Sequence, residues 1–225
     1  MSMLIAIDGA CRRNGKPDCV ASGGVFVQKF DEAQRRVGCG AMMTHERGST
    51  NQRGELLALL TALTYILECK EEDTLVVTDS EYIFNAMTKQ WYVSWKNNDW
   101  CTRSGEPAKN ADIWKCIAAI ADNLDHIGIS VAFYHIKGHV IPIGKITAKK
   151  LFEEDPTGAA VHAYVSKRFE ELAPTKQTVF NTAKELAERN NGFEPSGITF
   201  KSWVTANVVA DAIATREVDA ADQQS

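Results

Sequence analysis

The sequence lacks several features that would define other classes of protein. No apolar run in its 225 residues approaches the roughly 20 residues needed to span a bilayer. Residues 1–7 lack the basic start and the cleavage site of a signal peptide, so they predict a first strand instead. The six cysteines show no paired Cys-x-x-Cys spacing, which disfavours a zinc site or a disulfide framework and predicts reduced thiols. Together these absences predict a cytoplasmic protein without a membrane segment.

The chain also lacks an excess of positive charge. With 25 Lys plus Arg against 29 Asp plus Glu, its net charge of −4 does not indicate a nucleic-acid binder. Residues 89–115 differ, because they carry five bases, three acids and four tryptophans. A basic segment with interleaved aromatics can follow a phosphate backbone, although helical tryptophans more often pack. For this segment alone we favour packing.

Hydrophobic periodicity predicts an α/β fold. A long amphipathic helix should begin near Ser49, since Ser49 and Gln52 fit a capping box before a stripe of leucines. The length suits one domain, or one domain with a sizeable insertion. The order of elements predicts a five-stranded mixed sheet with helices on both faces. Apolar or alternating runs predict strands at 3–8, 22–29, 35–43, 75–78 and 129–135, and further helices at 79–87, 91–97 and about 110–124.

Four acidic residues stand in matching contexts. Asp8 and Asp79 each end an apolar run, Glu55 lies one turn into the amphipathic helix, and Asp211 interrupts a late alanine-rich helix. Carboxylates that end two strands and line two helices suit a divalent cation, because hard cations prefer oxygen ligands. Each acid has an ordinary alternative: Asp8 a turn, Asp79 a helix N-cap and Glu55 a first-turn acid. Asp211 would face a partner or the solvent edge.

Six motifs in sequence order resemble those of type 1 ribonuclease H, over residues 3–139 and 206–219. The resemblance implies a ribonuclease H-like fold, with endonucleolytic cleavage of the RNA strand of an RNA–DNA hybrid. It also implies two Mg²⁺ ions, for which Mn²⁺ may substitute. The motifs are DGAC at 8–11, TNQRGEL at 50–56, TDSEY at 78–82, KNADIW at 109–114, KGH at 137–139 and NVVADAIA at 207–214.

The resemblance also implies roles for individual residues. Metal ligation falls to Asp8, Glu55, Asp79 and Asp211, and His139 corresponds to a mobile histidine that assists proton movement or product release. Residues implied in substrate binding are Asn14, Asn51, Gln52 and Glu81 at the minor groove, Thr50 and Asn110 at a DNA phosphate, and Trp91, Trp95 and Lys96 in a basic protrusion spanning 89–107.

The chain departs from the family pattern mainly at residues 140–205. Two apolar stripes there, at 161–172 and 179–187 on either side of Pro174, predict a helical hairpin inserted into a catalytic domain of residues 1–139 and 206–225. This insertion is expected to restrict access to the active site or to dock a protein partner on an otherwise monomeric protein. Because it separates Asp211 from the other acids, Glu217 and Asp219 are alternative ligands. At Glu81 a groove-facing amide donor is lost.

Two other functions remain open at this point. The same fold and metals could serve a junction-resolving or other polynucleotide nuclease, or the chain could be a non-catalytic hybrid-binding module. The Asn51–Gln52 pair and the tryptophan-bearing stretch favour the hybrid nuclease, and the complete acidic set argues against a decayed site.

Overall fold

The computed structural model describes residues 2–16, 18–33, 35–138, 143–171, 190 and 200–223. Within these ranges it has five strands: β1 (Ser2–Arg12), β2 (Val20–Phe30), β3 (Arg36–Arg47), β4 (Asp73–Thr78) and β5 (Val131–His135). The helices are α1 (Asn51–Cys69), α2 (Glu81–Thr88), α3 (Trp91–Lys96), α4 (Ala111–His126), α5 (Lys145–Glu154), α6 (Ala159–Glu171) and α7 (Phe200–Gln223).

The five strands form one mixed sheet in the order β3-β2-β1-β4-β5. Strands β1, β2 and β3 pair antiparallel, whereas β4 runs parallel to both β1 and β5. The predicted α/β fold is therefore confirmed. In the β1–β4 pair, Ile7 lies opposite Thr78, so the carboxyl end of β4 meets the middle of β1, which continues to Arg12.

The central strand β1 is buried on both faces. Met3, Ile5 and Ile7 join the core under α1 and α4, whereas Leu4 and Ala6 join the core under α6 and α7. Because successive side chains of a strand point to opposite faces, a continuous apolar run is what a strand between two helical layers requires. The prediction of helices on both faces is confirmed.

The N-cap of the first helix lies one residue later than predicted. Thr50, not Ser49, is the N-cap of α1, and its hydroxyl accepts a hydrogen bond from the backbone N–H of Arg53 at 3.4 Å. The hydroxyl of Ser49 instead donates to Glu46 at 2.7 Å. Arg53 then pairs with both Glu46 and Asp112, at 2.6 and 2.7 Å, and so ties the start of α1 to β3 and to the start of α4.

The last helix, α7, packs directly on the backbone of the sheet. A Cβ on Gly24 of β2 would lie 2.3 Å from the carbonyl oxygen of Ala210 and 2.5 Å from the backbone nitrogen of Ala214. Only a glycine permits this approach. It fixes the height of α7 above the sheet, and with it the position of Asp211.

Part of the predicted insertion is described. The helix expected over the first stripe is α6, in which Val161 and Val165 are fully buried. Helix α5 was not predicted, and the second helix of the hairpin, at 179–187, lies outside the described residues. His162 of α6 lies 3.1 Å from the Gln28 amide nitrogen and stacks on Phe26. Burial, then the charges of Arg36 and Lys201, lowers the pKa of His162 to about 4, so a neutral imidazole joins the insertion to the sheet.

One prediction about the cysteines is wrong. Cys11, at the end of β1, and Cys19, just before β2, form a disulfide, because the antiparallel β1–β2 pairing brings these two chain positions together. Sequence spacing gave no sign of this contact. Cys39, Cys69, Cys101 and Cys116 are free.

Among the helices of the described ranges, none combines the length and apolar character that crossing a bilayer requires.

Candidate metal centre and nucleic-acid interface

Three of the four predicted carboxylates meet at one edge of the sheet. Asp8, Glu55 and Asp79 each offer an oxygen, and these ligand atoms all lie within 4.8 Å of one another. Asp8 and Asp79 come together because β1 and β4 are parallel neighbours in which Ile7 lies opposite Thr78, so the next residue of each chain is an aspartate at the same height. Asp8 was predicted to end its strand, but β1 continues to Arg12 by pairing with β2. Glu55 reaches them because α1 lies against β1: a Cβ on Gly9 would be 2.4 Å from the backbone nitrogen of Glu55.

Asp211 is not one of the three residues whose ligand atoms lie within 4.8 Å of one another, but it lies near them. Its charge acts on both Asp8 and Glu55 and raises the pKa of each. The two alternative ligands are engaged elsewhere on α7. The Glu217 carboxylate lies 2.7 Å from Nδ1 of His45, and Asp219 accepts a hydrogen bond from Arg12 at 2.6 Å. Of the three acids, Asp211 therefore has the best position to complete the set.

The electrostatics of the cluster disfavour full ionisation of its acids. Burial, then the charges of Asp79, Glu55 and Asp211, raises the pKa of Asp8 well above its ordinary value, although the Gly9 N–H donates to its Oδ1 at 2.7 Å. Burial, then Asp79 and Asp211, raises the pKa of Glu55 to about 8. Ionising all of these buried carboxylic acids at once is unfavourable because their negative charges repel one another. A bound cation would stabilise the ionised forms.

The donor set fits a hard divalent cation. Oε2 of Glu55 is buried, and no hydrogen-bond donor from the described residues reaches it. An orphaned carboxylate oxygen beside two other carboxylates is a ready ligand for Mg²⁺ or Mn²⁺. The nearby thiol is not available to a softer metal, since Cys11 is in the disulfide.

The predicted groove-binding residues gather around the start of α1. The backbone N–H of Asn51 donates to Oδ1 of Asn14 at 3.3 Å, which links the β1–β2 turn to the helix. The side-chain oxygen of Gln52 is buried without a hydrogen bond to any described residue. Glu81 is exposed at the first position of α2. Asn14, Asn51 and Gln52 therefore lie at the start of α1, about one turn from Glu55 along the helix, and Gln52 keeps an acceptor unused.

The two residues implied in phosphate binding are the N-caps of neighbouring helices. Thr50 caps α1, and Asn110 caps α4 with a left-handed backbone, φ 60°. The Arg53–Asp112 pair holds these helix starts together. The amide nitrogen of Asn110 is buried and makes no hydrogen bond of good geometry to a described residue, although it lies near the Tyr82 hydroxyl, whose pKa is raised by burial and lowered in part by this amide. Two helix N-termini with an unused N–H donor suit an anion such as phosphate.

The tryptophans of α3 both pack and line a surface hollow. Trp95 meets Trp114 edge to face with centroids 5.5 Å apart, and Trp91 lies 6.4 Å from Trp95. A hollow of about 800 Å³ lies beside Trp91 and Trp95 and includes Arg103. Lys96 pairs with Asp122 of α4, so its charge is already engaged.

His139 lies outside the described residues, but a histidine that was not predicted lies close to the carboxylates. Nε2 of His135, the last residue of β5, is 3.2 Å from the backbone oxygen of Asp79, and its ring stacks on Phe84. Asn190, from the insertion, accepts from the His135 N–H at 2.8 Å and donates to its C=O at 2.9 Å. The Asn190 amide thus extends the pairing of the edge strand. Neither residue belongs to a motif that would have identified it.

Replacing Asn190 with alanine tests whether the insertion supports the metal centre. We expect the affinity for Mg²⁺, measured by isothermal titration calorimetry, to fall roughly tenfold, the usual scale for a residue that positions a ligand. Without the Asn190 amide, the end of β5 would lose two hydrogen bonds. The contact of His135 with the backbone of Asp79 would then be held less firmly. Asn98→Ala is the control, because Asn98 also donates to two carbonyls but lies in the loop after α3. Equal Mg²⁺ affinity in the two variants would refute the positioning role.

Comparison with known proteins identifies the family. The sequence model of the family described as RNase H matches residues 1–152 of this chain. A ribonuclease H of Clostridium botulinum is 33% identical over 138 residues, which cover 61% of this chain and 83% of that relative.

Solved structures agree with the sequence match. The structure of LC9-RNase H1, described as a type 1 RNase H with the type 2 active-site motif, aligns with a TM-score of 0.50 at 25% identity. The alignment covers 62% of this chain and 65% of that one. The RNase H domain of PFV aligns at 0.50 and 20% identity, over 71% of this chain and 93% of the domain, and supports the fold alone. With its first 152 residues matching the family model, the chain belongs to the RNase H family.

Proposed function

We propose that this protein is an endoribonuclease that hydrolyses the RNA strand of RNA–DNA hybrids with two divalent cations, Mg²⁺ or, in its place, Mn²⁺. The observation that carries the proposal is the convergence of Asp8, Glu55 and Asp79 within 4.8 Å, with the charge of Asp211 acting on the same group. Family membership supports it, since relatives with this architecture are named ribonuclease H.

The carboxylates would hold the cations as a set. When bound, a pair of divalent ions supplies a water of lowered pKa and stabilises the leaving oxygen of the phosphodiester. Asp8 and Glu55 carry raised pKa values without metal, and a cation beside them favours their ionised forms. The orphaned Oε2 of Glu55 gives that carboxylate an oxygen committed to nothing else among the described residues.

Selection of RNA would come from the amides near the start of α1. The 2′-hydroxyls of the RNA strand line a wide, shallow minor groove and both donate and accept hydrogen bonds. The buried Oε1 of Gln52 accepts from such a hydroxyl, and Asn51 and Asn14 offer neighbouring donors and acceptors. These contacts depend on groove shape, so we propose little sequence preference. The carboxylate of Glu81 can accept hydrogen bonds in the groove but cannot donate them.

Contacts with the DNA strand would lie farther along the same surface. Thr50 and Asn110 would receive a DNA phosphate at the paired helix starts. Trp91 and Trp95 would present apolar faces to the backbone sugars beside Arg103. Lys96 contributes mainly to the fold through Asp122.

His139 would act next to the carboxylates as a mobile proton carrier or an aid to product release. A Cβ on Gly138 would lie 1.9 Å from Oδ2 of Asp79, so the residue before His139 in the sequence lies directly beside the third carboxylate. An imidazole there suits proton transfer near neutral pH.

We also propose a monomeric protein of the cytoplasm, with residues 140–205 as a helical subdomain inserted between 1–139 and 206–225. Helix α6 supports the proposal that this subdomain packs on the catalytic domain, because it contacts β2 through His162 and shares a hydrophobic core with α7. An exposed side chain on α5, Ile146 at 76%, is a candidate contact for a protein partner.

A panel of labelled substrates tests the proposed function. With Mg²⁺, the protein should cut the RNA strand of a hybrid and leave double-stranded RNA, double-stranded DNA and a four-way junction intact, because only the hybrid combines 2′-hydroxyls with a DNA strand in the required groove. Chelation with EDTA, or Asp79→Asn, should remove the activity. Preferential cutting of the junction would instead favour a resolving nuclease, and hybrid binding without cutting would favour a non-catalytic module.

A further inference from the structure

A groove lies between α5 of the insertion and the last helix, α7, with a volume of about 480 Å³. Asp211 is one of its lining residues, so the groove lies next to the candidate metal centre. It does not involve the start of α1 or the tryptophans of α3. The other lining residues are Ile143, Ile146, Ala148, Lys149, Glu153, Ala212, Thr215, Arg216, Asp219 and Ala220.

Three hydrogen-bond donors of this groove are uncommitted. Within the described part of the chain, neither Lys149 nor Arg216 forms an ion pair, and the hydroxyl of Thr215 makes no hydrogen bond. Among the described helical threonines, Thr147 and Thr215 are the two whose hydroxyls make no hydrogen bond. The helical threonines 61, 64, 88 and 205 each donate to the carbonyl four residues earlier. The guanidinium of Arg216 lies 5.3 Å from the ring centroid of the buried Phe152, which holds it without using its N–H donors.

The groove presents two cations that form no ion pair with a described residue, Lys149 and Arg216. Of its three acids, Asp219 is neutralised by Arg12. Glu153 and Asp211 remain, and divalent cations held at the proposed metal centre would offset the charge of Asp211. Apart from Thr215, the remaining lining is apolar and includes Ile143, Ile146 and Ala148.

We propose that Lys149, Thr215 and Arg216 bind the phosphate backbone of the RNA strand next to the phosphodiester that is cut. The inference rests on the proposed function. The strand that crosses the metal centre is the one being cut, and its continuation past Asp211 enters this groove. Cationic side chains and a hydroxyl supply the donors that phosphate oxygens accept, and the apolar wall suits the ribose. Helix α5 thereby adds Lys149 to the contact that Thr215 and Arg216 of α7 make with the substrate.

Equilibrium binding to a hybrid tests the proposal, with Asp79→Asn as background so that the substrate stays intact. Lys149→Ala and Arg216→Gln should each weaken binding about tenfold, the scale of one charge-assisted contact. Each should also flatten the dependence of log affinity on log salt by roughly 0.7–0.9, since one phosphate contact is lost. Thr215→Val should weaken binding less and leave the salt slope unchanged. In otherwise wild-type protein, the first two variants should raise KM more than they lower kcat.

Lys150→Ala is the matched control, because Lys150 is the exposed next residue of α5 and does not line the groove. Arg216→Lys keeps the charge, so it should retain most of the affinity if the cation matters more than the packing on Phe152. The groove proposal is overturned if Lys149→Ala and Arg216→Gln match Lys150→Ala, whether all are unchanged or all equally weakened. If the unmodified chain neither binds nor cuts the hybrid, the proposed function itself fails, which is a different result.

Discussion

Replacing Asp8 with asparagine should reduce hybrid cleavage by roughly a thousandfold or more, beyond the 10- to 100-fold typical of residues that only position a ligand. The amide keeps the shape of the side chain and removes a negative charge from the centre of the carboxylate cluster. The same change should raise the melting temperature of the metal-free protein, because Asp8 is buried beside Glu55, Asp79 and Asp211. Initial rates in Mg²⁺ and thermal unfolding in EDTA measure the two effects.

The pH dependence of stability provides the control for this prediction. The pKa of Glu55 rises from 4.5 to about 8 in the folded protein. Between these values the folded state holds a proton that the unfolded state has released, so the free energy of unfolding should fall as pH rises from about 4.5 to 8. Asp8→Asn should make this fall shallower, because Asp8 also has a raised pKa in the folded protein and its own contribution to the pH dependence is removed. A variant that loses activity but keeps the full slope would show that Asp8 does not hold a proton of raised pKa in the folded state.

Replacing Gly24 with alanine should damage both stability and activity. The new Cβ would overlap the backbone of α7 at Ala210 and Ala214, and backbone cannot move aside as a flexible side chain can. Overpacking of this kind costs about 1–3 kcal/mol. Because the helix that must shift carries Asp211, we expect a loss of cleavage rate on the order of 100-fold, as for a catalytic group misplaced by about 1 Å. Urea denaturation and initial rates provide the measurements.

Gly40→Ala on β3 is the matched control for Gly24→Ala. A Cβ at Gly40 would meet no atom within 4 Å, so the substitution should leave activity unchanged and stability nearly so. If Gly24→Ala behaves like Gly40→Ala, α7 does not depend on backbone contact with β2. The position of Asp211 would then need another explanation.

The elements that were predicted correctly carry strong local signals. The apolar run before Asp8 and the short run before Asp79 mark strands buried on both faces, and parallel pairing brings the ends of these two runs together. The leucine stripe of α1 marks the helix that delivers Glu55. In each case the hydrophobic periodicity of a single segment determines which face is buried. The position of the acid relative to those apolar residues then determines where its side chain lies.

The features that were missed depend on contacts between distant segments. Thr50 rather than Ser49 caps α1, because Ser49 bonds to Glu46 of β3. The Cys11–Cys19 disulfide depends on the β1–β2 register, and no spacing rule contains that register. Asn190 meets His135 across 55 positions of sequence. Such contacts arise from the packing of the whole chain, so no local pattern in the sequence records them.

Diffraction from crystals soaked in Mn²⁺ tests the central claim most directly. Anomalous scattering should reveal two manganese peaks among the carboxylates of Asp8, Glu55 and Asp79, with an oxygen of Asp211 coordinating one of them. No peak at this edge of the sheet, or peaks with the carboxyl group of Asp211 turned toward solvent, would contradict the account.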